Sequence, residues 1–278
     1  MIATLLGLTA ALSWGSSDFL GGVISRRIGA VRTTLYVEAM GLITLLCAVI
    51  ISRESGLGLP EWLWCIGAGV IGSLGMLAFN QALSQGQMSV AAPVSSLTAA
   101  ALPVVVGIFL SGLPSITTLI GFALALAAIW LITQVGNSHS FAHSWREVRI
   151  PLLAGFGFGF YFIFIHQGSQ NAILWPMLVG RAAGAITVTV FAALTRQLKV
   201  APHSPWGWII LNMVGDVGGN VFYILAGQNG RMDVAVVLSS LYSGVTVILG
   251  WLILREKLNR SQLVGIALAL GSIVLLSR

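Results

Sequence analysis

Three polar side chains recur at a spacing of four residues within one apolar segment of the chain. Asn212, Asp216 and Asn220 therefore lie on one face of a helix, and Tyr223 falls on the same face. An ionisable group inside an apolar helix costs several kcal/mol unless it has a partner, a water-filled cavity or a function. The spacing predicts that this face either lines a cavity that water enters or forms hydrogen bonds to neighbouring helices.

A glutamate and an arginine stand at related positions in two other apolar segments. Shifting the chain by 143 residues places Glu38 on Arg181 and Gly41 on Gly184. Positions related by an internal repeat lie symmetrically in the folded protein, so the two opposite charges are expected to meet. Three interpretations stay open, namely a structural salt bridge, a role in ligand binding or gating, and a position at the end of an apolar segment.

Two further ionisable residues lie towards the ends of apolar segments. Asp18 follows Trp14 by about one helical turn, and its carboxyl group is suited either to binding a proton or cation or to facing water. His166 stands beside Gln167 in another segment, where it is either an interfacial residue or a proton relay. The candidates for coupling or gating are Asp18, Glu38, Arg181 and His166.

Paired serines recur at equivalent places in the two halves of the chain. Such hydroxyls either line a shared centre or bond back to their own backbone. The deeper aromatic side chains suit a ligand surface or the core of the protein. The candidates for ligand binding are Trp14, Ser17, Phe79, Asn80, Ser95, Ser96, Asn212, Asp216, Tyr223, Ser239, and Tyr242.

Composition indicates the environment in which these residues lie. The 278 residues are 57% hydrophobic and 8% charged, with a mean hydropathy of +0.95. Soluble domains carry about 25% charged residues, so this chain is predicted to fold within a lipid bilayer. Its basic residues are scattered at the ends of apolar runs, which is typical of membrane topology signals and argues against nucleic-acid binding.

Ten apolar runs approach the length of about 20 residues that a helix needs to cross the hydrocarbon core. The sequence therefore predicts ten membrane spans. They lie at 2–24, 33–52, 62–83, 90–111, 115–135, 150–170, 174–195, 206–227, 233–254, and 260–277.

The second half of the chain repeats the first. Residues 78–132 reappear in altered form at 222–276, after a shift of 144 positions without a gap. We predict one five-helix repeat at 1–135, a linker at 136–149 and a second repeat at 150–278. Because each repeat has an odd number of spans, the two enter the bilayer in opposite orientations. The predicted fold is an all-α integral membrane protein with ten transmembrane helices in two inverted five-helix repeats.

Charge in the loops gives a prediction of orientation. Ten basic residues gather on the face that carries the loop after the first span, and three lie on the other face. The positive-inside rule places the more basic face in the cytoplasm and both termini outside.

Three segments carry a resemblance to a known family. They are Leu-Ser-Trp-Gly-Ser-Ser at 12–17, Val-Ala-Val-Val-Leu-Ser-Ser-Leu-Tyr at 234–242, and the segment 254–268 that joins the last two spans. Together with the duplication, they resemble the ten-span EamA-type members of the drug/metabolite transporter superfamily. The resemblance implies a transporter of small metabolites with both termini in the cytoplasm, against the charge count. Small relatives in the superfamily carry an acidic residue in their first span that exchanges protons for cations, a position that Asp18 resembles loosely.

Several functions lack their sequence signals. The chain has no GxxxxGK[ST] phosphate loop, no HExxH and no GxSxG, so neither ATP hydrolysis nor these hydrolytic activities are expected. His139 and His143 are spaced for a metal on a helix, but no third ligand stands nearby. We therefore expect no enzyme activity, no cofactor and no metal site.

The sequence predicts a secondary transporter of small organic metabolites that works by alternating access at a central site. Amino acids are the leading substrate class, and export is favoured by the resemblance. The alternatives are proton-coupled efflux of organic cations and, more distantly, an intramembrane lipid-modifying enzyme. The expected partners are a small-molecule substrate and the lipid bilayer, and transport is either facilitated diffusion or exchange for protons. The protein is expected to be a monomer or homodimer in the cell (inner) membrane of a bacterium.

Overall fold

A computed structural model describes residues 2–84, 88–132, 145–198, 204–254 and 260–276. These residues form eleven α-helices and no strand. The helices are α1 (Ile2–Ile28), α2 (Ala30–Ser52), α3 (Leu59–Ser84), α4 (Met88–Ser111), α5 (Ile116–Ile132), α6 (Trp145–Gly168), α7 (Leu174–Leu194), α8 (Trp206–Gln228), α9 (Met232–Ser239), α10 (Tyr242–Leu254) and α11 (Arg260–Leu276).

The described helices follow the predicted spans except in one place. The predicted ninth span, 233–254, is interrupted at Ser240 and Leu241, so that α9 and α10 are separate helices. Six segments are long and apolar enough to cross a membrane, one of them taking α9 and α10 together, and three shorter apolar helices accompany them. The predicted linker lies outside the described residues as far as residue 144, and so do His139 and His143.

Apolar side chains cover the outer surface of the helix bundle. On α2, Ile43, Leu46 and Ile50 are 63%, 48% and 68% exposed, and their spacing places them on one face of the helix. A stripe of exposed aliphatic side chains is stable against lipid and not against water. The protein is therefore a multi-pass membrane protein whose polar side chains point inwards.

A glycine conformation and a side-chain carboxylate stabilise the ends of two helices. Gly29 joins α1 to α2 with a φ of 87°, a conformation that favours glycine. The side chain of Glu54 accepts hydrogen bonds from the backbone N–H groups of Ile173 (2.9 Å) and Trp175 (2.8 Å) at the start of α7. A carboxylate at this end of a helix satisfies free N–H groups and complements the helix dipole.

Helices from the two halves pack against each other more than within a half. α3 packs closely on α6, α1 on α8, and α5 on α11. Glycines make these contacts close: a Cβ on Gly219 of α8 would lie 2.5 Å from Cδ1 of Trp14 on α1. This packing brings the polar faces of α1, α2, α7 and α8 together in the middle of the bundle.

Candidate functional site

A cavity with both polar and apolar walls lies in the middle of the bundle, lined by residues of both halves. Its wall includes the indole of Trp14 and the polar face of α8. Nine of the fifteen predicted site residues line it: Trp14, Ser17, Asp18, Glu38, Asn80, Arg181, Asn212, Asp216, and Tyr242. That these side chains bind a ligand stays a prediction.

Arg181 holds two carboxylates at the centre of the cavity. Its Nη1 donates to Oε2 of Glu38 at 3.2 Å, and its Nη2 donates to Oδ2 of Asp216. The three side chains are 10% to 11% exposed, so the ion pairs are largely shielded from water. The predicted meeting of Glu38 with Arg181 is found, and Asp216 is an additional partner.

Two glycines at equivalent positions of the sequence repeat leave space for this cluster. A Cβ on Gly41 of α2 would lie 3.1 Å from Nε of Arg181, and a Cβ on Gly184 of α7 would lie 3.2 Å from Oε2 of Glu38. Each glycine thus lets the charged side chain of the other half reach the centre. Gly180, one helical turn before Gly184 on α7, lies close to α3, because a Cβ on it would lie 3.4 Å from the backbone oxygen of Cys65. Both glycines therefore pack inside the protein.

The polar face of α8 lines the cavity and also forms hydrogen bonds to neighbouring groups. Asn212, Asp216 and Asn220 line the cavity, and all three also bond to neighbouring groups. Asn212 donates to the backbone oxygen of Ser17 at 2.6 Å, and the Ser17 hydroxyl donates back to the Asn212 oxygen at 3.0 Å. Asn220 accepts a hydrogen bond from the Tyr161 hydroxyl and donates to the backbone oxygen of Asp216 at 2.7 Å.

Asp18 differs from the other carboxylates of the cavity. None of the three ion pairs among the described residues includes it. Its carboxyl group lies close enough to Asp216 for the two charges to repel each other, and it also lies near Tyr242. The Tyr242 hydroxyl lies near the Ser95 side chain.

Aromatic rings support one wall of the cavity from behind. The indole of Trp14 packs on Phe162 (ring centroids 5.5 Å apart) and on Tyr223 (5.7 Å). Tyr223 itself is 1% exposed and donates its hydroxyl to the backbone oxygen of Phe162 at 3.0 Å. Tyr223 therefore positions Trp14 and does not reach the cavity.

Six predicted residues lie away from the cavity lining. Phe79 packs edge-on against Phe158 in an apolar cluster between α3 and α6. His166 lies against Gly227 near the ends of α6 and α8 and is not among the residues that line the cavity. The set is Phe79, Ser95, Ser96, His166, Tyr223 and Ser239, and all of them except His166 are buried.

Sequence reasoning missed four polar residues that line the cavity: Thr33, Thr34, Ser73 and Tyr161. Thr34 accepts a hydrogen bond from Asn80 at 2.9 Å, and its position one helical turn before Glu38 is a signal that sequence alone contains. Tyr161 stands in a run of aromatic residues, and nothing in that run distinguishes it from its neighbours. Among the described residues, no group of three His, Cys, Asp or Glu side chains is placed to hold a metal ion.

An apolar helix bundle whose buried charged and amide side chains line a central cavity is the architecture of a membrane carrier. The chain belongs to the EamA-like transporter family, whose sequence model matches residues 1–134 and 148–278. It is accordingly a member of the drug/metabolite transporter superfamily, as the sequence predicted.

Curated relatives share the full length of the chain at low identity. A Streptococcus pyogenes serotype M6 protein named "Putative sugar uptake protein" is 25% identical over 270 residues, covering 92% of this chain and 90% of the relative. A Streptococcus agalactiae serotype V protein with the same descriptive name is 25% identical over 276 residues, covering 94% and 92%. A solved crystal structure with a TM-score of 0.80 is 19% identical and covers 98% of this chain and 95% of its own, which shows a shared fold.

Proposed function

We propose that the protein is a secondary transporter that carries small polar organic solutes through the central cavity by alternating access. One observation carries the proposal: side chains from both halves of the chain converge on a single buried cavity and are joined there by Arg181. Rocking of one half against the other would expose such a cavity to each side of the membrane in turn.

The packing of the helices supports two inverted five-helix repeats with ten spans, α9 and α10 together forming the ninth. Exchanging the halves maps α1 onto α6 and α8 onto α3, so the contact of α1 with α8 corresponds to the contact of α6 with α3. The same exchange swaps α2 with α7 and α5 with α11, so the contact within each of these pairs is unchanged. These relations are those of a two-fold axis between the halves.

Two solute classes are candidates for the cavity. Amino acids are the class that the sequence placed first, and export the direction that the family resemblance favours. The amides of Asn80 and Asn212, the hydroxyl of Tyr242 and the indole of Trp14 also suit a sugar, because sugars bind through hydroxyl hydrogen bonds and ring stacking. The streptococcal relatives are named as sugar uptake proteins, which favours a sugar and the uptake direction. The proposed location is the cell (inner) membrane of a bacterium.

The test is uptake into liposomes that contain the purified protein, with labelled sugars, amino acids and one organic cation, with and without a pH gradient. We expect saturable flux of one class that Asp18→Asn reduces, because Asp18 lines the cavity. Glu61→Gln, at the start of α3 and outside the cavity lining, is the matched control and is expected to transport like the wild type. Flux that responds to the pH gradient would support proton coupling; absence of flux for every class would overturn the proposal.

A further inference from the structure

We infer that Glu38 and Asp216 determine the specificity of the cavity: by pairing with Arg181, they exclude solutes that bear a carboxylate or phosphate, and they leave the cavity to neutral or amine-bearing solutes. This specificity favours sugars over amino acids, because amino acids carry a carboxylate. The inference rests on the proposed function, because it names the class of solute that the same cavity takes. It is carried by the geometry and charge of the cluster.

Arg181 is the only cationic side chain among the described residues that line the cavity. A guanidinium group is the protein group best suited to bind a carboxylate or phosphate through two parallel hydrogen bonds. An anionic solute entering this cavity therefore has Arg181 as its one available counterion.

Both terminal nitrogens of the Arg181 guanidinium already have a carboxylate partner. Nη1 donates to Glu38 and Nη2 donates to Asp216. The backbone of α2 covers one face of the group, because a Cβ on Gly41 would lie 3.1 Å from Nε and 3.3 Å from Cζ. A carboxylate of a solute therefore has to compete with Glu38 and Asp216 for the terminal nitrogens of Arg181.

The balance of charge opposes anions further. With Asp18, three carboxyl groups line the cavity beside one guanidinium. In a shielded site, charges interact more strongly than in water, so an anionic solute is repelled by the unbalanced carboxylates. A neutral solute is not repelled, and a charged amine is attracted by the same carboxylates. Carboxylates accept hydrogen bonds from hydroxyl and ammonium groups alike.

The test is a gain of function. Glu38→Gln and Asp216→Asn combined keep the shapes of both side chains but free Arg181. The probes are glucose, glucosamine and glucuronate, which share a ring and differ in charge, and binding to the purified full chain is measured from the rise in its thermal unfolding temperature with probe concentration. We expect the double variant to bind glucuronate about tenfold or more tightly than the wild type, as a regained charged hydrogen bond implies.

Two controls separate the role of Arg181 from loss of structure. The triple variant that adds Arg181→Met is expected to show no gain for glucuronate, because it lacks the cation. Asp233→Asn, which breaks the Arg231–Asp233 pair outside the cavity lining, is expected to gain nothing either. If the double variant does not fold, Asp216→Asn alone is expected to give a smaller gain in the same direction.

Two results would overturn the inference: a wild type that binds glucuronate as tightly as glucose, or folded variants with Arg181 freed that gain no affinity for glucuronate. Neither depends on the transport measurement. Failure of the proposed function appears instead as the absence of solute flux in liposomes, and it leaves the gain of glucuronate binding measurable.

Discussion

At the scale of single residues, the sequence repeat predicts one of the two ion pairs of Arg181 but not the other. Glu38 and Arg181 are equivalents under the 143-residue shift, so their meeting was predictable from sequence. The partnership of Arg181 with Asp216 was not predictable in this way. The 144-residue shift places Asp216 on Gly72, which has no side chain to indicate a symmetric contact. Arg181 therefore joins one partner that obeys the symmetry to one that breaks it.

The cluster makes a prediction about stability at this scale. Arg181→Met leaves Glu38 and Asp216 as buried carboxylates without a counterion, which is expected to lower the free energy of unfolding by about 3–5 kcal/mol. The triple variant Glu38→Gln, Arg181→Met, Asp216→Asn removes every charge together and is expected to stay closer to the wild type. Thermal unfolding of the purified proteins in one detergent measures both, and equal unfolding temperatures for the two variants would contradict the ion-pair assignment.

At the scale of helices, sequence identified the apolar segments but not the break between α9 and α10. Residues 233–254 form a mostly apolar run with no proline, and its signs of a weak point are the pairs Ser239–Ser240 and Ser243–Gly244. Close contacts between α10 and α1 lie next to this break. A Cβ on Gly15 of α1 would lie 2.6 Å from the backbone oxygen of Tyr242, and Thr246 donates to the backbone oxygen of Gly15 at 3.0 Å. Such a contact between distant segments has no local signal in the chain.

The close approach of α1 to α8 gives a prediction with a control in the same helix. Gly219→Ala places a methyl group against the indole of Trp14, which is expected to displace the ring and to cost about 1–3 kcal/mol of stability as overpacking. Solute flux is expected to fall as well, since Trp14 lines the cavity. Gly207→Ala, also in α8, meets nothing within 4 Å and is expected to leave unfolding temperature and flux almost unchanged. The two variants are compared by thermal unfolding and liposome uptake; indistinguishable behaviour would argue against tight packing of Trp14 on α8.

At the scale of the whole molecule, the proposed ten spans and their inversion lead to a prediction about topology. Five spans per repeat place the linker at 136–149 on the face opposite both termini, because five crossings separate the linker from each end. The distribution of basic residues puts the linker in the cytoplasm and the termini outside, whereas the family resemblance implies the reverse.

Membrane-impermeant labelling of single cysteines tests the number of spans and the orientation in one experiment. The reporter cysteines are introduced near residue 2, at residue 140 and near residue 276, in a background in which Cys47 and Cys65 are replaced by alanine. We expect the two terminal positions to react together and the position at 140 to react only when the opposite face is exposed to the reagent. The face that reacts in intact cells then decides between the charge count and the resemblance. Labelling of all three positions from the same face would rule out five spans in each half, and with them the inverted repeat on which alternating access depends.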